Sequence, residues 1–334
     1  MSDDDDKIKM NFSSSVYCKA DYSDIKEHLM AHFDVVSHYP EEEAQKLESL
    51  IAQKLEIPEN AVMITNGANE AIYLIAQLYK GWASIIPQPT FNAYEEACHA
   101  FQHIISYDDY NDNLDYLPED RIYWLCNPNN PTGNVLLKSL LNHIVRKHPR
   151  YLYVIDQSYA KYTPCQMLEP KEMMDCYNLM LIYSFSKTYC IPGLRLGYIV
   201  ASPIIIERLR LLRQPWSVNA MAIEAGKYCI EHEPKMIPDL DNYLSEAKRL
   251  HSRLSEIEGV MVMKSDTNFM LVHFDKGNIY ELKRWLIEHY GILIKDASDI
   301  RGLDEHYFRV TALTPEENDV LIEAVEAYQK WKMS

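Results

Sequence analysis

Four side chains in Tyr183-Ser-Phe-Ser-Lys-Thr-Tyr-Cys-Ile-Pro-Gly-Leu-Arg195 can do chemistry together. Lys187 follows two hydroxyls, Ser184 and Ser186, and Arg195 comes eight residues later, after a Pro-Gly turn. A lysine set at a strand end inside an apolar fold is costly while charged, so burial lowers its pKa. The neutral amine that results attacks aldehydes and forms a Schiff base. Two hydroxyls and a guanidinium are the groups that hold a dianionic phosphate. Together they ask for an aldehyde that carries a phosphate. The same residue types also suit a surface lysine in a polar turn, so the reading depends on what the rest of the chain brings to them.

Several elements can position these groups. Leu179–Ile182 is a short apolar run that reads as a buried strand delivering Ser184, Ser186 and Lys187 at its end. Ala61–Thr65 reads as a strand, and Asn66-Gly-Ala-Asn-Glu70 turns from it into a helix predicted from Ala71 to Tyr79. A glycine turn into a helix start is a ready anion site, although many α/β turns share that look. Ala83–Ile86 is another strand, and Phe91 and Tyr94 open the helix after it, where an aromatic can stack on a flat ring or simply fill core. Ile122–Cys126 ends in Asn127-Pro-Asn-Asn-Pro-Thr-Gly133, whose prolines exclude regular structure and fix an Asn amide in one orientation. Val135–His148 reads as a helix. The strand Tyr151–Asp156 stops at an acid, which is expensive when buried unless a cation faces it; a helix N-cap is the other reading. Near the N-terminus a helix is expected over Asp24–Phe33, with Ser23 as its N-cap, and an amphipathic one over Glu41–Glu56.

The 334 residues allow one large domain with a smaller companion. A hydrophobic fraction of 47% with 25% charge is that of a globular chain, and a net charge of −16 opposes nucleic acid and anionic membranes as partners. No apolar run is long enough to span a bilayer. The seven cysteines are scattered without CxxC pairs, which points to reduced thiols and a cytoplasmic location. The twelve histidines show no HExxH or other ligand spacing, so no metal is expected. Residues 1–9 read as an expression leader, 10–38 as an N-terminal arm joining the small domain, 39–240 as the large domain and 241–334 as a small α+β domain.

Taken in order, Gly67-Ala-Asn-Glu70, Pro89-Thr-Phe91, Asn127–Gly133, Asp156-Gln-Ser-Tyr159, Ser184-Phe-Ser-Lys187, Gly193-Leu-Arg195 and Phe308-Arg309 resemble the class I/II aminotransferases, the fold-type-I pyridoxal 5'-phosphate (PLP) enzymes. The resemblance implies a three-layer α/β/α large domain with a mainly parallel sheet, beside a small α+β domain. It implies that Lys187 carries the PLP and moves the proton at the substrate α-carbon. Asp156 would pair with the ring nitrogen, Asn130 and Tyr159 with the ring phenolate, and Phe91 would stack on the ring. Ser184, Ser186, Arg195 and the N–H groups of Ala68 and Asn69 would hold the phosphate. Arg309 would clamp the substrate carboxylate, with Asn268 beside it. In the family the active sites lie at a homodimer interface, and Tyr39 fits the tyrosine that reaches the partner's phosphate.

Within the family the chain looks like the branch of histidinol-phosphate aminotransferases and threonine-phosphate decarboxylases, the latter from cobalamin biosynthesis. Gln214–Asn219 and the segment Ile300–Val310 lean toward the decarboxylases. The expected substrate is a small amino acid, with or without a phosphate. Two departures stand out. Phe12-Ser-Ser-Ser-Val-Tyr-Cys18 replaces the branch's Asn-x-Asn-Pro-x-Gly loop, and Lys295 replaces an Arg used for substrate phosphate. Lysine keeps the positive charge but not the planar fork. A non-catalytic binding protein of this fold and a nicotinamide dehydrogenase are the competing readings; no GxGxxG follows the first strand to favour the latter.

Overall fold

The computed structural model describes residues 7–17, 19–40, 44–109, 121–232 and 239–333. The strands in chain order are β1 (Met10–Asn11), β2 (Val62–Thr65), β3 (Ala83–Gln88), β4 (Ile104–Asp109), β5 (Arg121–Cys126), β6 (Leu152–Asp156), β7 (Leu179–Ser184), β8 (Gly197–Ala201), β9 (Val260–Val262), β10 (Phe269–Phe274), β11 (Ile292–Leu293), β12 (Lys295–Asp296) and β13 (Tyr307–Thr311). The α-helices are α1 (Ser23–Ala31), α2 (Gln45–Leu55), α3 (Gly67–Leu78), α4 (Ala93–Ala100), α5 (Lys138–Lys147), α6 (Phe185–Thr188), α7 (Pro203–Arg210), α8 (Ala220–His232), α9 (Leu240–Ser255), α10 (Ile279–Tyr290) and α11 (Pro315–Met333).

A seven-stranded sheet runs in the order β2-β8-β7-β6-β5-β3-β4, and β8 alone runs against the others. Its strands are apolar on both faces because both faces are covered. Along β7, Leu179 and Leu181 point into one core with α2, α5 and α8, while Met180 and Ile182 point into another with α3, α4 and α7. The chain therefore folds into three layers here, as the resemblance implied. Pairing Cys126 with Asp156 and Asp156 with Ile182 sets the ends of β5, β6 and β7 side by side. In open α/β sheets the crevice beyond such strand ends is where ligands bind.

A second, antiparallel sheet has the order β12-β13-β10-β9 and packs with α9, α10 and α11 around Phe269, Phe274, Phe308 and Tyr328. The N-terminal arm touches both cores. β1 pairs in parallel with β11, and Phe12 is buried in the second core. Thirteen residues on, Ile25 of α1 is buried in the first core, with α1 packed on α8. Between them in sequence, Ser13, Ser14 and Ser15 border the crevice of the large sheet.

Some predicted boundaries move. Ser23 is the first residue of α1 and not its N-cap; Tyr22 holds that place, without a side-chain cap. α3 starts at Gly67, four residues before the expected Ala71, because Gly67 takes φ +80° and the Asn-Gly-Ala-Asn run is helical from there. α5 begins at Lys138 rather than Val135. The expected helix start at Glu41 lies outside the described residues.

Candidate active site

Lys187 sits one turn beyond β7. Phe185, fully buried, anchors this short helix in the first core, so the lysine chain turns toward the crevice. The crevice holds a cavity of about 550 Å3 whose walls include Ser15, Ala68, Phe91, Asp156, Lys187 and Arg309. That size suits a cofactor with a small substrate. Lys187 is half-buried, and its Nζ donates to Ser15 Oγ at 3.2 Å. Ser15 Oγ is also 2.7 Å from Tyr159 Oη, so one hydroxyl ties the lysine to the tyrosine. The Tyr159 ring packs edge-on against Phe269, which fixes its tilt.

Asp156 is 4% exposed at the end of β6. One carboxylate oxygen accepts from the Ser158 N–H at 2.9 Å and the other from Tyr94 Oη at 2.8 Å. Burial pushes the Asp156 carboxyl up, opposed by the Ser158 and Tyr94 hydrogen bonds and by the Lys187 charge. A cation at the cavity face of Asp156 would relieve that cost. Tyr94 stays protonated, since burial first and the Asp156 charge next raise its own pKa.

Ser184, Ser186 and Arg195 meet the start of α3. Arg195 takes φ +58°, and its Nη1 donates to Ser186 Oγ at 3.3 Å and to the Pro192 carbonyl at 3.1 Å. A Cβ on Gly67 would lie 2.6 Å from Arg195 Nη2, so only glycine lets the guanidinium lie against the helix start. Ala68 and Asn69, in the first turn of α3, also line the cavity. First-turn N–H groups have no partner within their helix, and with two hydroxyls and a guanidinium they form an anion cup.

Arg309, on β13, is 6% exposed. Its Nη1 donates to Asn130 Oδ1 and its Nη2 to the Ser13 carbonyl, each at 2.6 Å, while its Nε is buried without a partner. Both partners are neutral oxygens, so neither balances the buried positive charge. Burial lowers the Arg309 pKa, but a guanidinium remains charged. Such a group asks for an anion. Lys295 stands at the rim, its Nζ 3.5 Å from both Asp299 carboxylate oxygens.

The structure therefore brings Ala68, Asn69, Phe91, Asn130, Asp156, Tyr159, Ser184, Ser186, Lys187, Arg195, Lys295 and Arg309 to one cavity. Two expected residues stand elsewhere. Asn268 is wholly buried and donates to Tyr243 Oη at 3.1 Å, away from the cavity wall. Tyr39 is 84% exposed and packs against Trp216. Ser13, Ser14 and Ser15 line the cavity without having been singled out. Their signal was the three-serine run in the place of the branch's asparagine loop. The hydroxyl of Tyr94 was also missed: its ring stacks on Trp124 within the core, and its oxygen supports Asp156 from behind the cavity wall.

The family described as aminotransferase class I and II matches residues 7–325. The chain belongs to that family. A histidinol-phosphate aminotransferase of Thermoanaerobacter sp. (strain X514) is 31% identical over 307 residues, which cover 87% of this chain and 84% of that one. The crystal structure of L-threonine-O-3-phosphate decarboxylase from Porphyromonas gingivalis superposes with a TM-score of 0.94 at 36% identity, covering 96% of this chain and all of that one. A histidinol-phosphate aminotransferase from Sinorhizobium meliloti, solved in complex with PLP, shares the fold, with a TM-score of 0.82 at 16% identity over 96% of this chain and 90% of that one.

The chain is thus a PLP-dependent enzyme of the class I and II aminotransferases. The cavity itself fits the cofactor: an amine, an anion cup where Arg195 lies against Gly67, and a buried carboxylate whose burial cost a cation would relieve.

Proposed function

We propose that this chain decarboxylates L-threonine O-3-phosphate. The observation that carries the reading is Arg309, a buried guanidinium with two neutral partners and an unpaired Nε, on the same cavity as Lys187. The similarity to the Porphyromonas gingivalis decarboxylase over that enzyme's full length supports the choice of branch. A phosphorylated amino acid carries two anions, and Arg309 and the rim cation Lys295 offer one site for each.

When bound, PLP supplies a carbonyl carbon for an amine and a ring that draws electrons from whichever Cα bond lies perpendicular to it. The protein does the rest. Lys187 holds the cofactor and later carries a proton at the α-carbon. Ser184, Ser186, Arg195 and the first turn of α3 would take its phosphate, and Phe91 would cover its ring. Asp156 would serve the ring nitrogen, and Asn130 with Tyr159 the phenolate oxygen. Arg309, oriented by the Asn127–Gly133 loop at one nitrogen and by the arm at the other, takes the substrate carboxylate. That orientation selects the bond that breaks.

Two further parts of the reading rest on the surface and the thiols. Tyr39 serves the partner's site in a homodimer. An apolar groove along α1, lined by Tyr22, Leu29, Met30 and Phe33, gives such a dimer a surface to bury. No disulfide links the described cysteines to one another, which suits the cytoplasm. Among the described residues no helix is long and apolar enough to cross a membrane.

The test is CO2 release from L-threonine O-3-phosphate, run beside histidinol phosphate with 2-oxoglutarate and an assay for glutamate. The proposal expects CO2 and no glutamate. Glutamate without CO2 would assign the chain to the aminotransferase side of the branch instead.

A further inference from the structure

The expectation of no ligand spacing among the histidines does not hold. His28, on α1, and His32, at its C-cap, stand four apart, the spacing that puts two side chains on one helix face. Their ring centroids are 4.2 Å apart. Across from them, on α8, Glu224 is buried, and its Oε1 lies 2.8 Å from His28 Nε2. Among the described residues, these three offer ligand atoms that all lie within 4.8 Å of one another.

We propose that His28, His32 and Glu224 bind one zinc-class divalent ion, which ties α1 to α8. The tautomer of His32 favours this. Its Nδ1 is 2.8 Å from the His28 carbonyl oxygen, which can only accept, so Nδ1 carries the proton and Nε2 keeps its lone pair. A ring N–H held by a backbone carbonyl is the support that metal-binding histidines commonly have. Lys227 pairs with the other oxygen of Glu224 and leaves Oε1 to face the histidines. Tyr228 packs against the His28 ring, with centroids 4.6 Å apart, and limits its rotation.

Ligands of tetrahedral zinc lie about 2 Å from the ion, hence roughly 3.3 Å from one another. Adjustments of an ångström or so bring the three atoms there. The ion displaces the proton that His28 Nε2 shares with Glu224 Oε1, and that proton goes to solvent. His32 is exposed, which gives the ion an entry path and leaves a fourth position for water. α1 follows the Ser13–Ser15 span, so the ion would fix the arm that lies over the cavity. This site is independent of which substrate the cavity takes.

The test uses the full-length, PLP-loaded protein, stripped with a chelator and titrated with zinc chloride against a chromophoric indicator. One ion per chain is expected, with affinity at least tenfold weaker in His32→Ala, an exposed substitution that leaves the core alone. Zinc should raise the melting temperature of the wild type and not that of His32→Ala. Zinc bound elsewhere, such as at Asp3–Asp6 or a thiol, appears equally in both proteins. Equal affinity in the two, or no binding by the wild type, would overturn the proposal.

Discussion

Ser15 joins two side chains of the candidate site through one hydroxyl. Its hydroxyl lies between Lys187 Nζ and Tyr159 Oη, 172 residues from the lysine in sequence. Asp156 plays the opposite part. It is costly to keep charged in this fold, and its ionised form is favoured only by hydrogen bonds and by cations nearby. That cost makes sense if the carboxylate holds a positive charge on the cofactor ring. Asp156→Ala should therefore keep PLP, through the phosphate cup and Lys187, yet lose turnover by about a hundredfold or more. Absorption spectra of the purified variant check the first half and steady-state kinetics the second. Near-normal turnover would remove Asp156 from the role assigned to it.

At the scale of elements, β6 and β7 place the acid and the lysine on neighbouring strand ends, while α4 links the two sheets across the mouth of the cavity. Glu95 of α4 takes Arg301, which follows β12, by two hydrogen bonds of 2.6 and 3.0 Å, and Tyr107 Oη donates to it at 2.8 Å. Led by the Arg301 hydrogen bond, these contacts hold the Glu95 carboxyl down at about 2, against an ordinary value of 4.5. A lowered folded pKa means stability that is present above 4.5 and lost as pH falls toward 2. Glu95→Gln should thus melt below the wild type near neutral pH, and the gap should shrink as pH drops from 4.5. Thermal melts across that range check it; a gap as wide at about pH 3 as at about pH 7 would contradict the linkage.

Much of the element plan was legible, because buried strands write themselves as apolar runs. Leu179–Ile182 and Ile122–Cys126 fall within observed strands with little change. The start of α3 was not, since Asn-Gly-Ala-Asn has the composition of a loop, yet the helix runs from Gly67 with Asn66 as its N-cap. Asn268 was expected beside the substrate carboxylate on the resemblance of Thr267-Asn-Phe; its amide donates to Tyr243 on α9, a contact that no sequence pattern displays. The serine arm could be seen as a departure but not located, because its position comes from β1 pairing with β11 and α1 packing on α8.

For the whole molecule, the exposed Met30 (69%), Phe33 (60%) and Tyr39 (84%) argue for burial by a second copy. Sedimentation equilibrium should give twice the chain mass, and Tyr39→Ala should weaken PLP retention without unfolding the chain. A monomer that holds PLP as tightly as the family's chemistry needs would contradict the shared site.

The most direct measurement is to reduce the purified protein with borohydride, digest it and locate the pyridoxyl group by mass spectrometry. The group should sit on the peptide carrying Lys187, and the visible absorption should vanish on reduction in the wild type while Lys187→Ala shows no such adduct. A label on another lysine, or none, would contradict the site.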